Sequence, residues 1–207
     1  MTGSKRVTVE KAAPVSYWGG CVMLQSRVGI PMSVRTGQVT VEDFLRLPDP
    51  QEGHYELHHG EVVLVPPPKR PHQRDQRRIR KVLEPLLESR GIVDTEMGFR
   101  PTPEHEFWVA DVAFISFERD AEAGDAYIAG APELVVEVRS PSNTNAEIEN
   151  KRSTCLANGC ESFWLFDRGR ERLWITEGGV TREYGIDDFA SCKLLDSPLR
   201  VRELFED

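Results

Sequence analysis

Leu134-Val135-Val136-Glu137-Val138-Arg139, followed by Ser140-Pro141-Ser142, is the stretch on which the reading of this chain turns. Leu134 to Val138 has the short, apolar, β-branched character of a buried strand, interrupted by one acid, Glu137. Ser140-Pro141-Ser142 turns the chain. Thr144-x-x-Glu147 is a capping-box signature, which predicts a helix over 145–158 with Gly159 as its C′ residue. Ser162 to Asp167 is a second buried-type strand. A helix joining two apolar strands predicts a crossover and one parallel pair.

Upstream, Ile92 to Arg100 and Phe107 to Ser116 read as strands, and Asp111 interrupts the second. Alternation places Asp111, Ala113 and Ile115 on one face. An ionised acid inside a buried strand costs several kcal/mol unless something compensates it. A divalent cation would compensate Asp111 and Glu137 together, because Mg²⁺ accepts one or two carboxylates plus waters and phosphate oxygens. The alternative is that each acid sits solvated or salt-bridged at a strand end.

Tyr55 to His58 and Glu61 to Val65 flank His59-Gly60, the pattern of a β-hairpin. Glu56 and His58 share one face of it, so Glu56 is either a third acid of the cluster or part of an exposed polar face. Thr40, with Asp43 three residues on, caps a short helix whose apolar side is Phe44 and Leu45. Arg172 to Thr176 and Val180 to Tyr184 form a second hairpin across Gly178-Gly179. The tail carries a short strand near Leu199 and a helical end at Glu203-Leu204-Phe205. Residues 1–35 show no sustained period and are expected to be an appendage, poorly ordered or loosely docked, ahead of one domain at 36–207. Met32 would also serve as a start.

A helix is predicted from His72 to Ser89, shortened or kinked by Pro85. Arg74, Arg77, Arg78 and Lys81 follow helical spacing and form one basic stripe, and Ile79, Val82, Leu83 and Leu86 form a separate apolar face. The stripe suits a nucleic-acid backbone, with His72 at its start, and is expected on the rim of the carboxylate cleft; a solvated face or an acidic partner is the alternative. In helix 145–158, Ile148, Lys151, Cys155 and Leu156 fall on one side. Lys151 either reaches back over the strand ends or pairs with Glu147 on the surface.

The 207 residues are 39% hydrophobic and 29% charged, which excludes disordered, collagen-like and coiled-coil chains. With 26 basic against 34 acidic residues the net charge is −8, so nucleic-acid binding would need a local basic patch. Cys21, Cys155, Cys160 and Cys192 make no C-x-x-C pair, which fits a reducing cytoplasm. No apolar run reaches the ~18 residues of a membrane span. No Walker loop, dinucleotide fingerprint or nucleophile elbow is present.

Several pieces together resemble the Uma-two family, also known as domain of unknown function 820. They are Val41-Glu42-Asp43-Phe44-Leu45, Tyr55-Glu56-Leu57 with Gly60-Glu61, Ala110-Asp111-Val112, Gly130 through Val138, Ser140-Pro141-Ser142, Lys151, and Gly159 through Asp167. That resemblance implies an α/β fold of the PD-(D/E)XK restriction-endonuclease type, a mixed sheet flanked by helices with β-hairpins at its periphery. It also implies Mg²⁺- or Mn²⁺-dependent phosphodiester hydrolysis. Asp111 and Glu137 would be the metal ligands, with the Val138 carbonyl as a further one and Glu56 completing the cluster. Two positions depart from the pattern. Ala110 stands where proline is usual, and Arg139 stands at the lysine of the E-x-K signature. Arginine stabilises phosphoryl charge but is a poor base, so Lys151 would supply the amine from the helix. The expected partner is nucleic acid, DNA first, and the expected assembly a homodimer, since the apolar edge hairpins suit self-association. The competing expectation is a non-catalytic nucleic-acid-binding or protein-interaction module on the same fold, favoured by Arg139 and the negative charge.

Overall fold

A computed structural model of the chain describes residues 22–23, 33–34, 38–141 and 143–206. The chain divides into two units, Met1–Gln38 and Val39–Asp207. In the first, β1 (Val22–Met23) pairs antiparallel with β2 (Ser33–Val34), two strands the periodicity did not anticipate. The expected looseness of residues 1–35, Met32, Cys21 and the turn residue Ser142 otherwise lie outside the described residues.

The second unit opens with α1 (Val41–Phe44), capped as expected by the Thr40 hydroxyl, which accepts the Asp43 N–H. Val41 and Phe44 are its buried side; Leu45, expected there, is 46% exposed. The hairpin β3 (His54–His58) and β4 (Glu61–Val65) follows. Its turn residues, His59 (φ 52°) and Gly60 (φ 78°), both take positive φ, as a two-residue turn matched to strand twist requires. His59 is therefore a turn residue and not a strand neighbour of His58.

Next come α2 (Arg70–Leu87), β5 (Gly91–Arg100), β6 (Trp108–Ser116), α3 (Phe117–Ala123) and β7 (Ile128–Ala129). Then β8 (Leu134–Val138), α4 (Asn145–Ala157) and β9 (Ser162–Asp167) form the expected crossover. The chain ends with β10 (Arg172–Glu177), β11 (Val180–Gly185), β12 (Phe189–Ala190), β13 (Leu199–Arg200) and a 3-10 turn at Val201–Leu204. Among the described residues the main sheet has seven strands in the order β11-β10-β9-β8-β6-β5-β7. β8 and β9 run parallel, with Glu137 opposite Leu165; β6 runs antiparallel to β8, with Val112 opposite Val136.

Burial explains the stacking. Ile79, Leu83 and Leu87 recur one helical turn apart on α2, are fully buried, and pack on Val112, Phe114, Val136 and Trp164. Leu87, not the partly exposed Leu86, completes that stripe. Each such leucine contributes about 1.5–3 kcal/mol. Pro85 sits in the last turn, where the helix has only two residues left to run. On the other sheet face, Ala113, Ile115, Val135 and Phe163 pack against Cys155 of α4. Cys155, Cys160 and Cys192 are buried and unbridged. Among the described residues no helix is long and apolar enough to cross a membrane.

The capping box that opens α4 is complete. The Thr144 hydroxyl accepts the Glu147 N–H, and the Glu147 carboxylate accepts the Thr144 N–H at 2.8 Å. Thr144→Ala is expected to cost about 1 kcal/mol, lowering the thermal midpoint by about 2–4 °C in a melting experiment.

Candidate active site

β6 and β8 part company at the two acids. Their pairing ends at Val112–Val136, one residue short of Asp111 and Glu137. Beyond it, the Asp111 carboxylate stands in for the ladder: its Oδ2 accepts the Val138 N–H at 2.7 Å. Strict alternation also fails here. Trp108 and Ala110 pack on the α4 side of the sheet, and so do Ala113 and Ile115, so the phase slips between residues 110 and 113. On the facing strand Glu96, between partners of Val112 and Ala110, holds a left-handed φ of 55°. Asp111 consequently does not share the surroundings of Ala113 and Ile115, as alternation predicted. Its Oδ1 meets α2 instead, accepting from Gln76 Nε2 at 2.9 Å and lying 2.8 Å from His72 Nε2.

Glu137 is served from α4. Its Oε1 lies 2.8 Å from Lys151 Nζ, and Lys151 also donates to the Val109 carbonyl at 2.8 Å. Each side chain retains only 18% exposure. Lys151 thus reaches back over the strand ends, and the surface pair with Glu147 does not form, since Glu147 is occupied in the capping box. Burial pushes the Glu137 carboxyl up to about 8, with the charges of Asp111 and Glu56 adding to the rise against the pull of Lys151. Lys151 is held above its ordinary value because the surrounding carboxylates outweigh its burial. His72 is likewise raised: Asp111, then Glu96 and Glu137, outweigh its desolvation.

Glu56 arrives through the hairpin. Leu57 and Phe107 exchange two backbone hydrogen bonds, at 2.8 and 2.9 Å, which stitches β3 to the start of β6. The Glu56 Oε1 then accepts the Val109 N–H at 2.9 Å, and its Oε2 lies 2.7 Å from His58 Nε2. His54, His58, Lys151 and that backbone N–H together hold Glu56 well below the usual carboxylate range, although burial opposes them. Val109 therefore links Glu56 to Lys151 through its two backbone groups.

Two expected placements differ. The Arg139 guanidinium turns away from Glu137 toward Asp167, 3.7 Å from Nε, and donates to Asn145 Oδ1. His72 points inward, its Nε2 2.8 Å from Asp111 Oδ1. The basic stripe is not on the rim facing the acids. At ~100° per residue, Arg74 and Lys81 lie roughly 180–200° around α2 from His72; with Arg77 and Arg78 they line a separate depression beside Arg200 and Arg202. The pattern reading also missed Gln76 and Glu96. Gln76 donates to both Asp111 and Glu96. Its spacing from His72, one helical turn on the inward face, was the available signal.

The donors suit a hard divalent cation. Two carboxylates and the Val138 carbonyl are oxygen ligands of the Mg²⁺ or Mn²⁺ type. Burial is the first cause of the raised Glu137 carboxyl, and the negative charges of Asp111 and Glu56 add to it. Among the described residues no three His, Cys, Asp or Glu side chains gather as a metal-ligand group, so Glu56 does not join Asp111 and Glu137 as a direct third ligand.

A large mixed sheet flanked by helices, with carboxylates at the parting of two central strands, is a restriction-endonuclease-like architecture. Residues 41–201 match the model of the Uma2 family, described as "Putative restriction endonuclease", and the chain belongs to that family. Among solved structures it is similar to "a putative nuclease belonging to DUF820" from Anabaena variabilis. The two are 20% identical with a TM-score of 0.69, over 81% of this chain and 97% of that one. That likeness carries the fold. No curated protein matches the chain.

Proposed function

We propose that this protein hydrolyses phosphodiester bonds in nucleic acid, DNA first, with Mg²⁺ or Mn²⁺ held by Asp111, Glu137 and the Val138 carbonyl. The observation that carries the reading is the Lys151 ammonium, 2.8 Å from Glu137 at the parting of β6 and β8. When bound, such a cation lowers the pKa of a coordinated water and offsets phosphoryl charge. The chain's own groups do the rest. Lys151, kept charged by its carboxylate neighbours, positions the attacking water and stabilises negative charge on the phosphate. Glu56 holds Val109, and Val109 holds Lys151, so Glu56 acts as a positioning residue. His72 and Gln76 orient Asp111 from behind.

The test is a cleavage screen on single- and double-stranded DNA and RNA, with Mg²⁺, Mn²⁺ or EDTA. Cleavage with either cation and none in EDTA is the expected result. A protein that binds DNA but cleaves no substrate with either cation is a binding module on a nuclease fold, and the hydrolytic reading falls.

A further inference from the structure

The outward face of α2 has a second, long-range contributor that no helical pattern reveals. Arg74, Arg77, Arg78 and Lys81 line a depression of about 510 Å³ together with Arg200 and Arg202, which arrive from the C-terminal strand and turn. A neighbouring depression of about 280 Å³ shares Arg74 and Arg78 and continues past Pro71 to Arg168 and Phe205. The furrow therefore starts at the first turn of α2, the turn that offers His72 inward to Asp111, and runs down to Lys81.

Some of these cations are already spoken for. Arg168 is paired with the buried Asp75 at 2.6 Å and lies over the Phe166 and Phe205 rings. Arg78 donates to the Phe205 carbonyl at 3.0 Å, and Arg202 pairs with Asp187 and Glu206. These form fixed walls. Arg74, Arg77, Lys81 and Arg200 are exposed, and among the described residues no ion pair holds them. Glu203, Glu206 and the Arg168-paired Asp75 are the acids that line the furrow, and Asp187 acts on Arg200 from a distance.

In a chain of net charge −8, this is a local surplus of positive charge. Its form favours a phosphate chain over a compact anion. Arg74 to Lys81 covers about 10 Å along the helix, enough to meet successive phosphates of one strand. Guanidinium forks match phosphate oxygens in pairs. We propose that this furrow is a track for a nucleic-acid backbone, leading away from the carboxylate end of α2. It rests on the nucleic-acid-binding part of the nuclease reading, because it supposes the strand that passes Asp111 and Glu137 continues along it.

Anisotropy of a fluorescein-labelled oligodeoxynucleotide of about 20 nucleotides, single-stranded and duplex, read in EDTA, tests the track apart from cleavage. Combined Arg74→Ala, Arg77→Ala, Lys81→Ala and Arg200→Ala is expected to weaken binding about tenfold or more at low salt. It should also flatten the plot of log affinity against log salt by about 0.7–0.9 for each phosphate the protein no longer neutralises. The single charge reversal Arg77→Glu, at an exposed position, should move both readings the same way and guards against misfolding of the combined variant. Unchanged affinity and slope in both variants, or no DNA binding by the wild type, would overturn the track. So would displacement of the DNA by poly-glutamate at lower charge concentration than by unlabelled DNA, since the furrow would then suit an acidic polypeptide. Wild-type binding without cleavage would sink the hydrolytic reading and leave the track standing; cleavage with unaltered binding in the variants would remove the track alone.

Discussion

Asp111→Asn is expected to give a folded protein whose cleavage rate falls by about 10³-fold or more. The substitution keeps the shape of the side chain and one oxygen, which can go on accepting the Val138 N–H now taken at 2.7 Å. The new amide would donate to His72, but Gln76 would have to turn its amide and give up its bond to Glu96, so the structural cost is about 1–3 kcal/mol. What disappears is an anionic ligand. A bound cation contributes several kcal/mol of transition-state charge stabilisation, which is lost where the variant no longer holds it, and about 4 kcal/mol is a factor of about 10³. Two measurements separate the possibilities. Mn²⁺ titration by calorimetry should show weakened binding, and a melt should show a cooperative transition near that of the wild type. A variant that still cleaves at the wild-type rate would take Asp111 out of the metal site.

Legibility in the sequence follows from whether a residue's environment is set locally. Leu134–Val138, Asn145–Ala157 and Ser162–Asp167 were readable because their signals are short-range: apolar β-branched runs, a capping box, and a glycine after the helix. The crossover then followed from topology rules alone. The position of Lys151 on the border of the buried side of α4 was also readable, and it is the feature that brings it to Glu137. Other parts depend on packing between distant segments. α3 escaped because it buries no residue and opens on an exposed Phe117. The surroundings of Asp111 were misassigned because alternation is a rule for unbroken strands, and here the phase slips opposite the left-handed Glu96. The stripe on α2 was identified as a stripe, yet its placement needed Arg200 and Phe205, more than 100 residues downstream. A helical wheel says which residues share a face; it does not say what that face meets.

The amine decides between a hydrolase and a binder. Arg139 occupies the usual lysine position but spends its guanidinium on Asp167 and Asn145. Lys151 comes from α4 and lies against Glu137. Lys151→Met keeps the length and apolar stem while removing the charge. Breaking a buried ion pair ordinarily costs about 3–5 kcal/mol, because the partner is stranded as a charge. Glu137 escapes part of that cost: burial already raises its carboxyl, and without Lys151 it can take up a proton instead of standing as an unpaired charge. The variant is therefore expected to fold. Cleavage should drop about 10²–10³-fold, the scale of losing one preorganised electrostatic group. Mn²⁺ binding should become more pH-dependent in calorimetry, because the cation must now displace the Glu137 proton. Arg139→Ala should cost less than tenfold in cleavage, since its charge is engaged at Asp167 and not at Glu137. The opposite ranking, with Arg139→Ala inactive and Lys151→Met near wild type, would return the catalytic amine to the strand and leave Lys151 as a structural counter-ion of Glu137.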